Sequence, residues 1–461
     1  MKQNWAGQNV LIIGAARQGL SLARYLATRG AQVTLNDQLT AGQLGGVAES
    51  LADLPVRLAL GGHPLDLLDH TDLVCISGGV PLSLPLIVEA RRRGLPLTND
   101  SQIMMDAIQA PVIGITGSAG KTTTTTLVGR MAEDFATRTA RKAWVGGNIG
   151  LPLVEYVDQI RPDDLVIVEL SSFQLELMTS APHLAAVLNI TPNHLDRHGT
   201  LEAYTAAKAR ILQYQSTEDQ AVLNREDPGA WGLRDQVKGK LVTFGLQRPG
   251  NGAGTYCQDD RLFFTDGQHE IELMPRGLIR LPGAHNLLNV LAAGAIACAA
   301  GFPPESIQAG VNGFNGVAHR IELVRTWHGA DWYNDSIATT PERTIAAIEA
   351  FDRPLVLLLG GRDKNLPWEK LAELVHQRVD HVVIFGEASE KILRALGPLQ
   401  PGQRLQTIHR LPDLESAVQA AANIVEPGDV VLLSPGGTSF DEFKDFEERG
   451  ERFRKWVKAL S

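Results

Sequence analysis

The segment Gly117-Ser-Ala-Gly-Lys-Thr, reached from an apolar run at residues 112–115, is built to hold a polyphosphate. A strand that ends in a glycine turn and opens a helix aims backbone N–H groups and the positive end of the helix dipole at one point. Gly117, Ser118, Ala119, Gly120, Lys121, Thr122 and Thr123 would surround the phosphates of ATP. Lys121 would neutralise the β- and γ-oxygens, and the Thr122 hydroxyl would face Mg²⁺. The strict G-x-x-x-x-G-K-[ST] spacing lacks its first glycine, because position 115 is isoleucine. A plain strand-to-helix turn is the bland alternative. Strand context, two glycines, lysine and threonine together point to ATP instead.

Further along, Asp164-Leu-Val-Ile-Val-Glu169 reads as a buried strand ending in a carboxylate, where a Mg²⁺ ligand would meet the phosphates. His194, in Asn-Ile-Thr-Pro-Asn-His-Leu-Asp-Arg, and Lys208, in Tyr-Thr-Ala-Ala-Lys-Ala-Arg, are unremarkable when taken alone. A loop histidine is more often structural than a ligand, and a helical lysine is usually solvated. Near the start, Gly14-Ala-Ala-Arg-Gln-Gly19 has the form of a G-x-G-x-x-G turn with Ala16 in its middle, and Asp37 ends the next strand. By itself that pair suggests a dinucleotide site and an NAD-dependent oxidoreductase.

These groups need a scaffold of alternating strands and helices. Residues 10–13, a glycine turn, a helix over 20–29 and a strand over 33–35 make a Rossmann-like opening. Apolar runs at 73–76 and 112–115 end in glycine-containing turns, and a boundary falls near Pro111. Strands are expected at 165–168 and 185–188, a helix at about 201–214, and an irregular Gly-rich stretch at 248–254. Strands at 355–359, 381–385 and 430–433 alternate with helices in a third α/β unit. The fold class is thus α/β with three domains. The first and last are Rossmann-like, and the central one is a P-loop-type ATP-binding domain with a mostly parallel sheet.

The 461 residues suit several domains, and no apolar stretch approaches the roughly 18 residues of a membrane span. The opening residues lack a secretory pattern, so a cytoplasmic location is expected. Cys75, Cys257 and Cys298 are few, odd in number and scattered, which argues for reduced thiols over disulfides or zinc. A net charge of −9 without a basic run disfavours nucleic acid as a partner.

Nine ordered motifs give the chain its resemblance to the Mur ligases, the peptidoglycan amide ligases related to folylpolyglutamate synthase. They are Gly117-Ser-Ala-Gly-Lys-Thr, Gly147-Asn-Ile-Gly, Glu169-Leu-Ser-Ser-Phe-Gln-Leu-Glu176, His194-Leu-Asp-Arg, Tyr204 to Lys208, His285-Asn-Leu-Leu-Asn289, His319-Arg320, Asn334-Asp-Ser and Gly360-Gly-Arg-Asp-Lys364. The closing motif, Ser434-Pro-Gly-Gly-Thr-Ser-Phe-Asp-Glu-Phe-Lys-Asp-Phe-Glu-Glu-Arg-Gly, is similar to that of the branch adding D-glutamate to UDP-N-acetylmuramoyl-L-alanine. Another amino acid within the same family is the alternative.

The resemblance implies three domains, 1–110 for the UDP-sugar, 111–318 for ATP and 319–461 for the incoming amino acid, acting as a monomer. It implies catalytic roles for Lys121, His194 and Lys208, and metal contacts from Thr122, Glu169, His194 and Lys208, the last as a carbamate. Asn289, Arg320 and Asp335 would line the ATP site. Arg17, Gln18, Asp37, Ser77 and Asn148 would meet the UDP-substrate, so that the N-terminal turn receives its pyrophosphate. Lys364, Ser439, Phe440 and Phe446 would receive D-glutamate. The sequence departs from many relatives at Ile337, where they have lysine, and at Ala119, where asparagine or lysine is common.

Overall fold

The computed structural model describes residues 4–44, 46–281, 283–364, 366–399 and 402–461. It divides into two compact units, Met1–Phe314 and Asn315–Ser461, the first carrying two sheets and the second one.

The first sheet is wholly parallel: β1 (Asn9–Ile13), β2 (Gln32–Asp37), β3 (Val56–Leu60), β4 (Leu73–Ile76) and β5 (Leu97–Thr98), in the order β3-β2-β1-β4-β5. Side chains alternate along β1. Val10 and Ile12 pack with Leu22 and Leu26 of the helix Arg17–Ala27, while Leu11 and Ile13 pack with Leu86 and Ile87 of the helix Pro85–Arg92. A strand buried on both faces in this way reads as a continuous apolar run.

The second sheet has β6 (Val112–Thr116), β7 (Ala143–Gly147), β8 (Leu165–Glu169), β9 (Leu184–Val187), β10 (Gln220–Asn224), β11 (Lys240–Phe244), β12 (Ala253–Gln258), β13 (Arg261–Thr265) and β14 (Glu270–Pro275). Their order is β14-β13-β12-β11-β10-β9-β6-β8-β7, parallel from β7 to β12 and antiparallel beyond. The antiparallel ribbon is not predicted from the sequence. Its tip, Asp259-Asp260, has φ of 48° and 54°, so two aspartates take the left-handed conformations that a two-residue hairpin turn needs.

In the second unit β15 (Glu322–Trp327), β16 (Ala330–Asn334), β17 (Leu355–Gly360), β18 (His381–Phe385), β19 (Thr407–Arg410) and β20 (Val430–Gly436) lie in the order β15-β16-β20-β17-β18-β19. All neighbours are parallel except β15 and β16. Leu355, Leu357 and Leu359 face Leu371, Val375 and Ile392 on one side, while Val356 and Leu358 face Val418, Phe453 and Val457 on the other. Open sheets of this kind bind ligands beyond the carboxyl ends of their strands, and most of the sequence-selected residues sit there.

No helix among the described residues is long and apolar enough to cross a membrane. Cys75, Cys257 and Cys298 are unbridged.

Candidate functional site

β6 ends at Thr116, and the helix Lys121–Arg138 begins four residues after Gly117, so residues 117–120 form the connecting turn. Gly120 has φ +79°, and the side chain of Asn289, from the helix Ala284–Ala299, lies so near its Cα that a Cβ would not fit. That approach places Asn289 on the phosphate loop. Ala119 N–H donates to Asn189 Oδ1 at 2.8 Å, and Thr191 N–H donates to Ser118 Oγ at 2.9 Å, so the loop is held from the segment after β9. Tyr204 hydroxyl reaches Ser118 Oγ at 3.0 Å. Lys121 Nζ donates to the carbonyls of Gly117 at 2.7 Å and Ser118 at 3.3 Å. Thr122 is buried, and Thr123 is half-buried.

Lys208 is not the solvated helical lysine of the bland alternative. It is 1% exposed, on the helix Leu201–Gln213. Its Nζ donates to Gly117 O at 2.9 Å and Thr116 Oγ1 at 3.3 Å, and it lies 4.8 Å from the Tyr204 ring centroid. Burial, seconded by the Lys121 charge and opposed by Glu169, holds its pKa well below the usual lysine value. The neutral amine is therefore far more accessible than on a free lysine.

Glu169 ends β8 and is 1% exposed. Its Oε1 accepts from Asn148 Nδ2 at 2.8 Å, while its Oε2 is buried with no hydrogen-bond partner. A buried carboxylate oxygen without a donor is costly, and a divalent cation satisfies it. Among the described residues no three His, Cys, Asp or Glu stand together as a metal cage.

His194 is exposed and held at φ +53°, with its ring edge-on to Phe173 at 5.1 Å between centroids. Beneath it the structure reveals a network that the sequence reading did not identify. His198 Nε2 is 3.0 Å from Ser172 Oγ, and its Nδ1 is 3.2 Å from Glu176 Oε1. The imidazole stacks on Phe173 at 5.2 Å, and Arg197 covers the same ring at 3.8 Å. Ser172 is 3% exposed and the His198 side chain 1%, so this Ser-His-Glu arrangement supports the His194 loop and is closed to a substrate.

The N-terminal turn joins the same framework. Asp37 Oδ2 accepts from Ala15 N–H at 2.7 Å and Oδ1 from Leu39 N–H at 2.9 Å, so both oxygens already shape the turn. Ser77 Oγ donates to Gly14 O at 3.2 Å, and Arg17 is exposed. Gln18 Nε2 donates to Gly147 O at 3.2 Å, beside Asn148. Arg197 Nη2 donates to Val80 O at 2.8 Å, tying the loop after β4 to the His194 segment.

In the second unit Asp335 is buried, its Oδ2 accepting from Ser434 Oγ at 2.8 Å and its Oδ1 from Ile321 N–H at 3.2 Å. Burial pushes its pKa up to about 7, against the pull of these donors and of Arg320 and Arg343. Arg320 is exposed. Position 337 is isoleucine, and Arg343 Nη1 donates to its carbonyl at 3.1 Å, bringing a guanidinium there. Lys364 is exposed, with Nζ 3.5 Å from Thr339 Oγ1; desolvation and the Arg343 charge lower its pKa. Ser439 is buried, Phe440 is 60% exposed, and Phe446 meets the His319 ring edge-on at 6.2 Å.

Three family models match in order: Mur ligase MurD-like, N-terminal domain, over residues 8–99; Mur ligase middle domain over 115–297; and Mur ligase, glutamate ligase domain, over 319–437. The UDP-N-acetylmuramoylalanine–D-glutamate ligase of Symbiobacterium thermophilum is 41% identical over 455 residues, covering 98% of each chain. The protein of the same name from Koribacter versatilis is 38% identical over 456 residues, 99% of this chain and 98% of the other. Among solved structures, the UDP-N-acetylmuramate-alanine ligase MurC of Thermotoga maritima superposes with TM-score 0.56 at 18% identity, covering 98% and 99% of the two chains. MurF of Acinetobacter baumannii gives 0.55 at 18% identity, covering 99% and 93%. These two likenesses concern the fold.

Proposed function

The chain belongs to the Mur ligase family, and on that premise we propose that it joins D-glutamate to UDP-N-acetylmuramoyl-L-alanine, using ATP, in peptidoglycan precursor synthesis. The observation that carries this reading is the 41% identity to a protein named for that reaction, held over 98% of both chains. The dinucleotide alternative leaves the phosphate loop and the buried Lys208 without a purpose.

Amide formation from a carboxylate is uphill in water, so the substrate carboxylate first attacks the γ-phosphorus of ATP, giving an acyl phosphate and ADP. The amine of D-glutamate, its ammonium proton given up to solvent, then attacks the acyl carbon, and the C–O bond breaks as phosphate leaves, taking up the proton that the nitrogen sheds. N–H groups of residues 117–122 and the Lys121 ammonium stabilise charge on the moving phosphoryl group. Mg²⁺, when bound by Glu169, His194, Thr122 and carbamylated Lys208, supplies further neutralisation of that charge. Asn289, Arg320 and Asp335 are assigned to the nucleotide, and Arg17, Gln18, Asp37, Ser77 and Asn148 to the UDP-sugar. Lys364 and the Ser439 hydroxyl pair with a D-glutamate carboxylate, while Phe440 and Phe446 border its carbon chain. Domains 1–110, 111–318 and 319–461 would divide these tasks, in a cytoplasmic monomer.

Phosphate release from ATP in the presence of UDP-N-acetylmuramoyl-L-alanine tests the assignment. D-Glutamate should drive turnover, with L-glutamate and L-alanine poor. Equal turnover with the L-isomer would rule out the named reaction. Lys364→Ala should raise the KM for D-glutamate about tenfold or more, the loss of a charge-assisted contact, while leaving that for ATP nearly unchanged. An unchanged acceptor KM would remove Lys364 from the carboxylate.

A further inference from the structure

Arg449 sits in the helix Phe446–Ala459 and is completely buried, at 0% exposure. Among the described residues its guanidinium donates three hydrogen bonds, all to neutral oxygens. Nε reaches Ser336 Oγ at 3.0 Å, Nη2 reaches Ser336 O at 2.8 Å, and Nη1 reaches Gly437 O at 3.1 Å. Asp441 and Glu442 oppose its dehydration only through space, and burial brings its pKa down to about 10. A side chain that merely filled this volume would be cheaper without a charge, since well-packed apolar replacements of buried ions are often neutral or stabilising. The cation therefore serves something besides filling.

Its acceptors show what that is. Ser336 lies just beyond β16, Gly437 just beyond β20, and Gly361 just beyond β17, three strands adjacent in the sheet. Gly361 has φ +93°, and a Cβ there would stand 2.9 Å from Arg449 Nη1, so the third loop abuts the same guanidinium. Arg362 and Thr438 exchange backbone hydrogen bonds at 2.8 Å, stitching the β17 and β20 loops to each other. Ser336 Oγ in turn donates to Phe446 O at 2.8 Å. These loops carry Asp335 on one side and Lys364 and Ser439 on the other, and Phe446 opens the helix that bears Arg449. A planar fork with donors in fixed directions can hold two segments at a set spacing, which a single ammonium cannot.

We propose that Arg449 is a positioning residue that fixes the nucleotide-side loop at Asp335 and Ser336 against the amino-acid-side loop at Gly437 to Ser439. The inference rests on the functional reading above, since it takes D-glutamate and ATP as the ligands of those loops. It gives one side chain control over both affinities.

The test is steady-state kinetics of the full-length enzyme with all three substrates varied in turn, beside thermal melting of each variant. Arg449→Lys should fold and raise the KM for D-glutamate and for ATP together, by about tenfold, with the KM for UDP-N-acetylmuramoyl-L-alanine within about twofold of wild type. Arg449→Met should do worse on the same two constants, so that lysine is a partial rescue. A purely structural role predicts a lower melting temperature with all three constants unmoved or moved alike, and either result overturns the proposal. Should neither variant fold, Ser336→Ala removes the fork's hydroxyl acceptor and should shift the same pair of constants about threefold; an unshifted pair overturns the proposal equally. Wild-type enzyme that ignores D-glutamate defeats the functional reading itself. Wild-type enzyme that uses it, with variants of unaltered KM, defeats only the role of Arg449.

Discussion

Lys208→Ala is expected to lower the rate of ligation by at least about a thousandfold, roughly 4 kcal/mol of transition-state stabilisation, and a short carboxylic acid in solution should restore part of it. The amine of Lys208 is buried against Thr116 Oγ1 and Gly117 O, at the base of the phosphate loop, and its proton is weakly held. A neutral amine adds to CO₂, forming a carbamate anion and releasing a proton. Its oxygens suit a hard cation, as those of the neighbouring Glu169 do, whereas an ammonium would repel one. Truncation to alanine opens a space at the same place, and on the proposed carbamate acetate or propionate would enter it with a charge in the equivalent position. Lys208→Arg keeps a cation but cannot be carbamylated, and it should be as inactive as the alanine variant. Rescue by an alkylamine in place of the acid would show that the side chain acts as an ammonium supporting the loop. Because the modification releases a proton, activity should fall on the acid side and recover with added bicarbonate.

Lys121→Ala is expected to cost about a thousandfold in kcat, with binding of UDP-N-acetylmuramoyl-L-alanine, read by calorimetry, unaltered. Lys121 Nζ donates to Gly117 O and Ser118 O, so its charge already lies over the turn proposed to receive the phosphates. During transfer negative charge moves between the β- and γ-oxygens, and a cation fixed beside them lowers the barrier more than it strengthens ground-state binding. Ordinary turnover by a folded variant would remove the loop from the mechanism.

Both lysines differ in how far the sequence discloses them. Lys121 is legible because everything that defines it is local: strand, glycines, lysine and helix follow one another. Lys208 is not, because Ala206, Ala207 and Ala209 flank it with helix-forming residues that say nothing of burial. What buries it are Thr116, Gly117 and Tyr204, and the first two arrive from a strand and turn some ninety positions earlier. The pairing of His198 with Ser172 and Glu176 is hidden for the same reason. Asp37 reads as a ligand-recognising carboxylate, and what the sequence does not show is that its oxygens also accept from Ala15 and Leu39 N–H groups. The hairpin β12–β13 is hard to read because its turn is Asp259-Asp260 instead of a glycine pair, although Asp266-Gly267 does mark the turn between β13 and β14. Arg449 looks, in Glu-Glu-Arg-Gly-Glu-Arg, like one more charge on a solvated helix. Its burial is a property of the sheet it packs on. Strands buried along their length, such as β4, β6, β8 and β17, are legible as apolar runs, whereas the parallel β3, β7 and β19 mix in half-buried or exposed positions and give no such signal.

The bridge from Gln18 through Gly147 and Asn148 to Glu169 ties the N-terminal turn to the carboxylate beside the phosphate loop. Under the roles proposed for these residues, it is a hydrogen-bonded path between two binding sites, and any coupling it carries is open to measurement. Thermodynamic linkage then requires reciprocity: whatever factor the UDP-sugar imposes on affinity for the cation, the cation imposes on affinity for the sugar. Cooperativity of this kind needs no large rearrangement, only a hydrogen-bonded chain short enough that neither end can settle without the other.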